Sequence, residues 1–465
     1  MGSLHETNPS LWVETTRAAD AYEPLGDAKV SVDVVVVGAG ITGLSTALAC
    51  AESGATVAVL EAGRVCSGAT GYTTAKVTSQ HGLTYAGLRS SRGEDVARAY
   101  AEANEAGLAQ VASWVERYGI ECGFERRPAY TYTTESSTLA DVEAEAEAAG
   151  ALGLPATFTT ETDLPFDVLG AVRFDNQAQL HPRLYCLALA SIIDSMPGCS
   201  VHERTRVVDV DSLDSGHVVL ATHLPFLDRG GFFAKTHPVR SYAMAVRLGG
   251  GGAPMPTGMY LGKDAVTRSL RTAMDGEVLI VGGEGHKVGQ EPDTRRCYES
   301  VETWARSWFD VASVEARWSA QDYVPVDGMP FVGRLLPRSD IFVATGFAKW
   351  GMTNGTAAGM MLADAIAGRP NPWLEAFDST RLKGPLTSRA FYVENADSVG
   401  GHLVAERVRK PTAPTCRHLG CPLSLNVAED TWDCPCHGSR YSASGEVLQG
   451  PTLADLELKG TSGTE

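Results

Sequence analysis

A run of β-branched residues, then glycines and a helical pattern, organises the first part of the chain. Residues 32–37 read VDVVVV, which is typical of a strand buried on both faces of a parallel sheet. The glycine-rich segment 38–43 follows, and residues 44–49 have the character of a helix. A second apolar run at residues 56–60 predicts a strand that ends at Glu61. The pattern therefore predicts a strand–helix–strand unit of a parallel α/β sheet.

Three glycines and one acidic residue of this unit have the spacing of a dinucleotide-binding turn. Gly38 permits a tight turn, Gly40 lets the backbone approach a pyrophosphate, and Gly43 lets the helix pack closely on the strand. The helix would direct its free N–H groups at the phosphates. Glu61 follows about 20 residues later, where a carboxylate can accept the ribose hydroxyls. We expect a bound dinucleotide; the alternative is a glycine-rich turn without a ligand.

Helical and alternating patterns follow in the middle of the chain. Residues 93–118 have apolar side chains at helical spacing and predict one long helix, although Asn104 interrupts the apolar stripe. Residues 141–149 predict another helix with an acidic, solvated face. Residues 130–132 and 241–246 alternate in the manner of antiparallel strands.

Composition and charge narrow the class of protein. The chain has 465 residues, enough for about two to four domains, and its 44% hydrophobic content is that of a globular protein. A net charge of −17 argues against a nucleic-acid partner because it repels phosphate backbones. No apolar run approaches the ~20 residues of a spanning helix, and the first thirty residues contain no signal-peptide core. We expect a cytoplasmic protein without a membrane partner.

Four of the ten cysteines crowd a short C-terminal stretch. The stretch contains two segments, CRHLGC at residues 416–421 and CPCHGS at residues 434–439. Each segment offers thiolates and an imidazole, so the two together can hold a metal. Residues of these types at such spacings also suit tetrahedral zinc, so a zinc ribbon is an alternative. The other six cysteines are scattered singly, which is typical of buried small hydrophobic residues.

Several segments together resemble the glycine oxidase/D-amino-acid oxidase family of flavoproteins. The segments that carry the resemblance are residues 38–43, 62–70, 73–76, 217–222, 327–333, 341–346 and 351–359. The resemblance covers residues 30–372 and implies an α/β Rossmann-type FAD-binding domain with an α+β substrate domain. It also implies that the helix opening at Gly351 points its N-terminus at the flavin pyrimidine, where it would stabilise negative charge. Glycine-rich helix packing without a flavin is the alternative for that helix.

The resemblance assigns residues to the cofactor and to catalysis. The residues implied to contact FAD are Gly38, Gly40, Ile41, Thr42, Gly43, Glu61, Ala62, Ser67, Gly68, Ala69, Thr70, Thr74, Ala75, Lys76, Val207, Ala221, Thr222, Gly333, Gly346, Gly351, Met352 and Thr353. The candidates for catalysis in the substrate pocket are Lys76, Arg240, Tyr242, Tyr260 and Lys349. For each candidate, a surface cation or a core aromatic residue is an equally good interpretation.

The two C-terminal segments closely resemble an all-β Rieske domain, with its C-x-H-x-G-C and C-P-C-H-G-S patterns. The resemblance implies that Cys416 and Cys434 ligate one iron of a [2Fe–2S] cluster and that His418 and His437 ligate the other. It further implies a disulfide that ties the loops together, formed by the two remaining cysteines, Cys421 and Cys436. Neutral imidazoles leave the cluster less negative than thiolates would, so its reduction potential is higher.

These assignments suggest a division into domains. We expect an N-terminal arm (1–31), a discontinuous FAD-binding domain (32–105, 171–235 and 320–372), a substrate domain (106–170 and 236–319), a linker (373–399) and a Rieske domain (400–465). Two stretches, 211–216 and 404–412, are shorter than the resemblance implies. Either both parts are trimmed, or stretches of the true chain are absent from this numbering.

The function implied is that of an FAD-dependent oxidoreductase acting on an amine or amino acid. A hydride would pass from a carbon next to nitrogen to flavin N5, and the cluster would relay single electrons to a carrier such as a ferredoxin. Two alternatives remain: a reductase or monooxygenase-like enzyme that receives electrons through the cluster, and a redox-sensing flavoprotein without turnover. We expect the flavin and the cluster to lie within tunnelling distance, either within one chain or across a dimer, so an oligomer is compatible with the sequence.

Overall fold

The fold is described from a computed structural model that covers residues 8–16, 21–26 and 28–458. The strands are β1 (Ser31–Val37), β2 (Val57–Leu60), β3 (Lys76–Val77), β4 (Glu125–Arg126), β5 (Ala129–Thr133), β6 (Ala156–Thr159), β7 (Gly170–Phe174), β8 (Ala178–Gln179), β9 (Ser200–His202), β10 (Asp214–Leu220), β11 (Thr236–Leu248), β12 (Met259–Gly262), β13 (Arg268–Ala273), β14 (Val278–Lys287), β15 (Val311–Pro325), β16 (Phe331–Arg334), β17 (Ile341–Thr345), β18 (Ser424–Asn426), β19 (Thr431–Asp433), β20 (Arg440–Ser442) and β21 (Val447–Gln449).

Helices surround these strands. They are α1 (Leu11–Glu14), α2 (Ile41–Glu52), α3 (Tyr85–Arg92), α4 (Glu94–Tyr118), α5 (Ser136–Ala151), α6 (Pro182–Ser195), α7 (Phe232–Lys235), α8 (Arg295–Trp308), α9 (Gly351–Ile366), α10 (Leu374–Phe377), α11 (Lys383–Thr387), α12 (Arg389–Ala396) and α13 (Arg407–Arg409). A 3₁₀ turn spans Ala69–Tyr72, and a π-helical segment, Asp397–Glu406, joins α12 to α13.

A six-stranded sheet carries the predicted strand–helix–strand unit. Its order is β16-β17-β10-β1-β2-β9, and every pairing is parallel except that of β16 with β17. The valines at 34–37 in β1 are buried, as a central parallel strand requires. The carboxyl ends of β1, β2, β10 and β17 therefore meet at one edge, where ligands bind in open α/β sheets.

Glycines allow α9 to lie against α2 on one side of this sheet. A Cβ added at Gly359 would lie 2.7 Å from the Cβ of Ser45, and one at Gly355 would lie 2.7 Å from Thr42 Oγ1. Larger residues would separate the helices. The packing fixes α9 beside the glycine turn that precedes α2.

An eight-stranded sheet, of order β15-β11-β14-β13-β12-β5-β7-β6, forms a second layer. Its pairings are antiparallel except for β12 with β5. Aromatic and branched side chains between this sheet and α8 make a separate core. The sequence patterns at 130–132 and 241–246 are confirmed as parts of β5 and β11.

A small four-stranded antiparallel sheet, β18-β19-β20-β21, holds the C-terminal segments. The first Cys/His segment precedes β18, and the second lies between β19 and β20. The stretches near 211–216 and 404–412, which are shorter than the resemblance implies, form a loop with the start of β10 and a helical segment, respectively. Residues 203–213 form a loop that leads into β10, and residues 404–409 are helical.

Both long helices predicted from apolar spacing are confirmed. The pattern at 93–118 corresponds to α4, and the pattern at 141–149 lies within α5. Asn104 interrupts the stripe because it bonds inside the protein: its Nδ2 donates to Tyr100 O at 2.9 Å and to Asn354 Oδ1 at 3.2 Å. In the described ranges, no helix combines the length and apolar character needed to cross a membrane.

Candidate flavin and iron–sulfur sites

One large cavity, of about 970 Å³, opens at the carboxyl edge of the six-stranded sheet. Its walls come from three regions: the glycine turn with the loop that follows β2, the inner face of the eight-stranded sheet, and the C-terminal segment 446–455. A volume of this size is at the upper end for cofactor and ligand sites.

The glycine turn forms one end of this cavity. Gly38 has a φ of +108°, and a Cβ there would lie 2.6 Å from the carbonyl oxygen of Ala221, so a side chain is excluded. A Cβ at Gly43 would lie 1.9 Å from Gly38 O, which explains the close approach of α2 to the turn. Gly40, Ile41 and Thr42 line the cavity. The N-terminus of α2 therefore faces the cavity, as a pyrophosphate site requires.

Glu61 holds the shape of this end through backbone hydrogen bonds. Its Oε2 accepts from the Ala39 N–H and its Oε1 accepts from the Gly63 N–H, both at 2.8 Å. Burial raises the pKa of Glu61, while these two hydrogen bonds act in the opposite direction. The carboxylate lines the cavity, where its remaining lone pairs can accept ribose hydroxyls.

Most of the predicted flavin contacts lie on the cavity wall. Those that do are Gly38, Gly40, Ile41, Thr42, Glu61, Ala62, Ser67, Gly68, Ala69, Thr70, Thr74, Lys76, Val207, Ala221, Thr222, Gly351 and Met352. Those that do not are Gly43, Ala75, Gly333, Gly346 and Thr353.

The five residues that do not line the cavity contribute to turns, packing and hydrogen bonds of the fold. Gly346, with a φ of +80°, makes the turn after β17, and a Cβ at Gly333 in β16 would lie 3.0 Å from Ser379 Oγ. Thr353 Oγ1 donates to Thr78 O at 2.9 Å and so ties the first turn of α9 to the loop before α3. Ala75 is fully buried, and Gly43 serves the packing of α2.

Lys76 is a buried amine in the cavity wall. Its Nζ donates to Tyr260 O at 2.7 Å and to Ser269 Oγ. Burial, with the nearby Arg271 guanidinium, lowers the pKa of Lys76 to about 7. The ammonium therefore releases its proton much more readily than an exposed lysine does.

Two further lysines and a serine line the same end of the cavity. Burial lowers the pKa of Lys349 and that of Lys263, and the Lys263 cation lowers the pKa of Lys349 further. Ser241 Oγ is buried in this wall and finds no hydrogen-bond partner in the described part of the chain. These groups are donors oriented into a space that a polar ligand can fill.

The structure does not bring all five catalytic candidates to this cavity. Tyr242 lines it, and its hydroxyl lies 3.0 Å from His286 Nε2. Tyr260 faces away and bonds Asp163, while its ring stacks on Tyr130 at 4.6 Å. Arg240 also faces away, because its guanidinium pairs with Asp433 of β19 at 3.0 Å. The structure therefore gives no support to a catalytic role for Tyr260 or Arg240.

The four predicted cluster ligands meet at the tip of the small sheet. A hydrogen bond from Cys434 lowers the pKa of the Cys416 thiol, and Tyr441 OH lies 3.4 Å from Cys416 Sγ. The ring centroids of His418 and His437 are 5.1 Å apart. Cys421 and Cys436, the pair implied to be oxidised, are joined by a disulfide bond.

The protonation of His418 suits a metal ligand. Its Nε2 lies 2.8 Å from Asp228 Oδ1, and since a carboxylate accepts hydrogen bonds, Nε2 carries the proton. Its Nδ1 is buried and has no partner in residues 8–16, 21–26 and 28–458. A buried nitrogen lone pair without a donor is costly unless a ligand fills the place. The donor set of two thiols and two imidazoles therefore fits a Rieske cluster.

The cavity and the cluster loops are in direct contact. Gln321, at the cavity wall, donates from Nε2 to Gly438 O at 2.7 Å. Two residues further along β15, Tyr323 OH donates to His437 O at 3.0 Å. Strand β15 thus bonds the backbone of His437, a predicted cluster ligand, through Tyr323, while Gln321 of the same strand lines the cavity.

Sequence reasoning missed the contribution of the C-terminal segment to the cavity. Gln449 Nε2 donates to His223 Nδ1 at 2.8 Å, and His223 Nε2 lies 3.0 Å from Asp322 Oδ1. Arg206, another wall residue, donates to Val447 O at 3.3 Å. The available signal in the sequence was the segment THLPF at residues 222–226. It places a histidine directly after the predicted strand, where a polar side chain can contact another segment.

Fold, cavity and cluster site together define an oxidoreductase that binds FAD and a [2Fe–2S] cluster. The chain belongs to the family described as FAD dependent oxidoreductase, which matches residues 33–365, and a Rieske [2Fe-2S] domain matches residues 403–459. It is 33% identical to the Rieske 2Fe-2S iron-sulfur protein YhfW of Bacillus subtilis, with 97% of each chain covered.

Solved structures share the fold of the flavin-binding part. Glycine oxidase from Geobacillus kaustophilus superposes with a TM-score of 0.64 at 20% identity, covering 76% of this chain and 100% of that one. L-proline dehydrogenase from P. horikoshii gives a TM-score of 0.62 at 18% identity, covering 76% and 98%. The predictions of family, fold class and cofactors are thereby confirmed.

Proposed function

We propose that the protein oxidises a small amine or amino acid at a C–N bond, and that its electrons leave singly through the Rieske domain to a carrier such as a ferredoxin. Bound FAD would supply hydride acceptance at N5, and the cluster would supply one-electron transfer. The observation that carries the proposal is the cavity of about 970 Å³, which joins the glycine turn to an end lined by lysines.

The charges of that end favour a substrate with a carboxylate. Lys263 and Lys349 line it beside Lys76, whose ammonium is readily deprotonated, whereas the neighbouring Glu284 is paired with Arg268 at 2.8 Å. Lys349 lines the cavity and offers an ammonium donor there. A substrate with one carboxylate and one amine would match these donors and would leave the amine for oxidation.

The contact between cavity and cluster loops supports an internal relay. Gln321 and Tyr323 join the two sites through single side chains. The relay proposed here runs within one chain and needs no second copy.

Anaerobic titration of the holoenzyme with a panel of amines tests the proposal. We expect an amino acid, or another amine that carries a carboxylate, to bleach the flavin absorbance. If no amine bleaches it and reduced ferredoxin does, the protein works as a reductase. If neither does, the flavin serves a redox sensor without turnover.

A variant of Lys349 tests the choice of substrate class. Lys349→Met should weaken binding of the carboxylate-bearing substrate by about ten- to a hundredfold, because a hydrogen bond to a charged group contributes roughly 1.5–3 kcal/mol. The measurement is the substrate concentration that half-saturates the rate of flavin reduction. Lys383→Met, at the start of α11 and away from the cavity wall, is the control and should leave that concentration unchanged.

A further inference from the structure

The loop that follows β10 touches both sites. Its first residues, including Thr222, His223 and Leu224, line the flavin cavity. A few residues later, Asp228 Oδ1 lies 2.8 Å from Nε2 of His418. The side chain of His418 is only 6% exposed, whereas that of Asp228 is 51% exposed. A surface carboxylate of the flavoprotein body therefore reaches a shielded ligand of the cluster.

The two histidine ligands have different surroundings. His418 donates its outer N–H to a carboxylate, whereas the ring of His437 makes no hydrogen bond within the described chain. Phe233 packs edge-on against both rings, with centroids 5.8 Å from His418 and 5.1 Å from His437. The phenyl ring shields both ligands, so the carboxylate is the feature that distinguishes them.

We propose that Asp228 tunes the Rieske cluster by polarising His418, and so sets the reduction potential of the cluster from within the flavoprotein body. A carboxylate that accepts the outer N–H of a ligating imidazole makes the ring a stronger electron donor to its metal. Stronger donation and nearby negative charge stabilise the oxidised, more positive cluster. Asp228 therefore lowers the potential.

This role goes beyond the proposed function and does not depend on the substrate. Asp228 acts through His418 and is a positioning residue. A contact that served only to fix the position of the C-terminal sheet would leave the potential unchanged. The two roles therefore differ in a measurable quantity.

The test is a redox titration of the purified holoenzyme, followed by the electron paramagnetic resonance signal of the reduced cluster. Asp228→Asn should shift the midpoint potential upward, because the amide keeps the size but removes the charge. Asp228→Glu should restore a potential close to that of the wild type. Asp340→Asn, an exposed carboxylate near β17 without a bond to His418, is the matched control and should cause no shift.

Iron content is measured on each variant beside the titration. Equal potentials for Asp228→Asn and the wild type, at equal iron content, would overturn the proposal. Loss of iron from Asp228→Asn that Asp228→Glu prevents would also overturn it, because the carboxylate would then be needed to retain the cluster rather than to tune it.

Discussion

At the scale of single residues, the geometry of the glycine turn was predictable and the lining of the candidate substrate pocket was not. Gly38, Gly43 and Glu61 are constrained by local geometry: a positive φ, a close helix and two backbone hydrogen bonds. The direction of a side chain in a strand depends instead on the sheet around it. Arg240 and Tyr242 are only two residues apart in β11, yet one pairs with Asp433 and the other lines the cavity.

For Lys76, the structure shows hydrogen bonds and burial that the sequence did not predict. Its neutral amine would use both N–H groups on Tyr260 O and Ser269 Oγ. The lone pair then remains available to take a proton from a substrate ammonium, which must be neutral before it is oxidised.

This arrangement predicts a pH dependence of flavin reduction. Because burial and the Arg271 charge lower the pKa of Lys76 to about 7, the amine is neutral above that pH and protonated below it. The limiting rate of reduction should fall about tenfold per pH unit below 7 and level off above it. Stopped-flow reduction at saturating substrate measures this profile.

Variants identify the titrating group. Lys76→Met should lose the inflection near pH 7, whereas Lys263→Met, which removes another lysine from the same cavity, should keep it. An inflection that persists in Lys76→Met and disappears in Lys263→Met would assign the proton transfer to Lys263.

At the scale of elements, helices and strands with strong periodicity were predictable, but their pairing was not. The glycines of α9 explain how it packs on α2, and the apolar spacing of α4 gives its length. The pairing of β11 with β14 and β15 depends on contacts between distant segments, which no local pattern encodes.

The contact of β11 with β19 is the clearest example of a non-local interaction. Asp433 Oδ2 lies 3.0 Å from Arg240, and Asp433 Oδ1 lies 3.3 Å from Arg440. All three side chains are almost fully buried. Asp433 therefore bridges two arginines at the boundary between the large and small sheets, and Glu429 Oε2 places a second buried carboxylate 3.3 Å from Arg440 Nη2.

Removal of this carboxylate should loosen the small sheet. Asp433→Asn is expected to destabilise the protein by about 3–5 kcal/mol, because it leaves buried guanidinium charge uncompensated. Arg240→Met should destabilise the protein less, because Asp433 remains paired with Arg440. Denaturant unfolding, followed by the visible circular dichroism of the cluster, measures both.

The surface pair of Arg247 with Glu277 provides the control, because both side chains are exposed. Arg247→Met should change the stability by no more than about 1 kcal/mol. If Asp433→Asn lowers the free energy of unfolding as little as Arg247→Met does, the buried charges do not hold the sheets together.

At the scale of the whole molecule, the sequence indicated two cofactors, and the structure adds the proximity of their candidate sites. The Cys/His segments and the glycine turn are more than 370 residues apart along the chain. No pattern within either segment predicts that residues 446–455 form a wall of the flavin cavity. That wall, with the bonds from Gln321 and Tyr323 to the cluster loop, makes the C-terminal sheet part of the flavin site.

This arrangement leads to a prediction about electron flow. Cys416→Ser, which removes a predicted thiolate ligand of the cluster, should leave the first reduction of the flavin by substrate nearly intact, because Cys416 does not line the cavity. The same variant should lose most of its steady-state reduction of a one-electron acceptor, because the single-electron exit is missing.

Stopped-flow flavin reduction and acceptor reduction are measured on one preparation with known FAD and iron content. Cys199→Ser, a free and partly buried cysteine elsewhere in the chain, is the control and should keep both rates. If both rates survive in Cys416→Ser although iron is lost, electrons leave the flavin directly, and the C-terminal sheet has a structural or regulatory role.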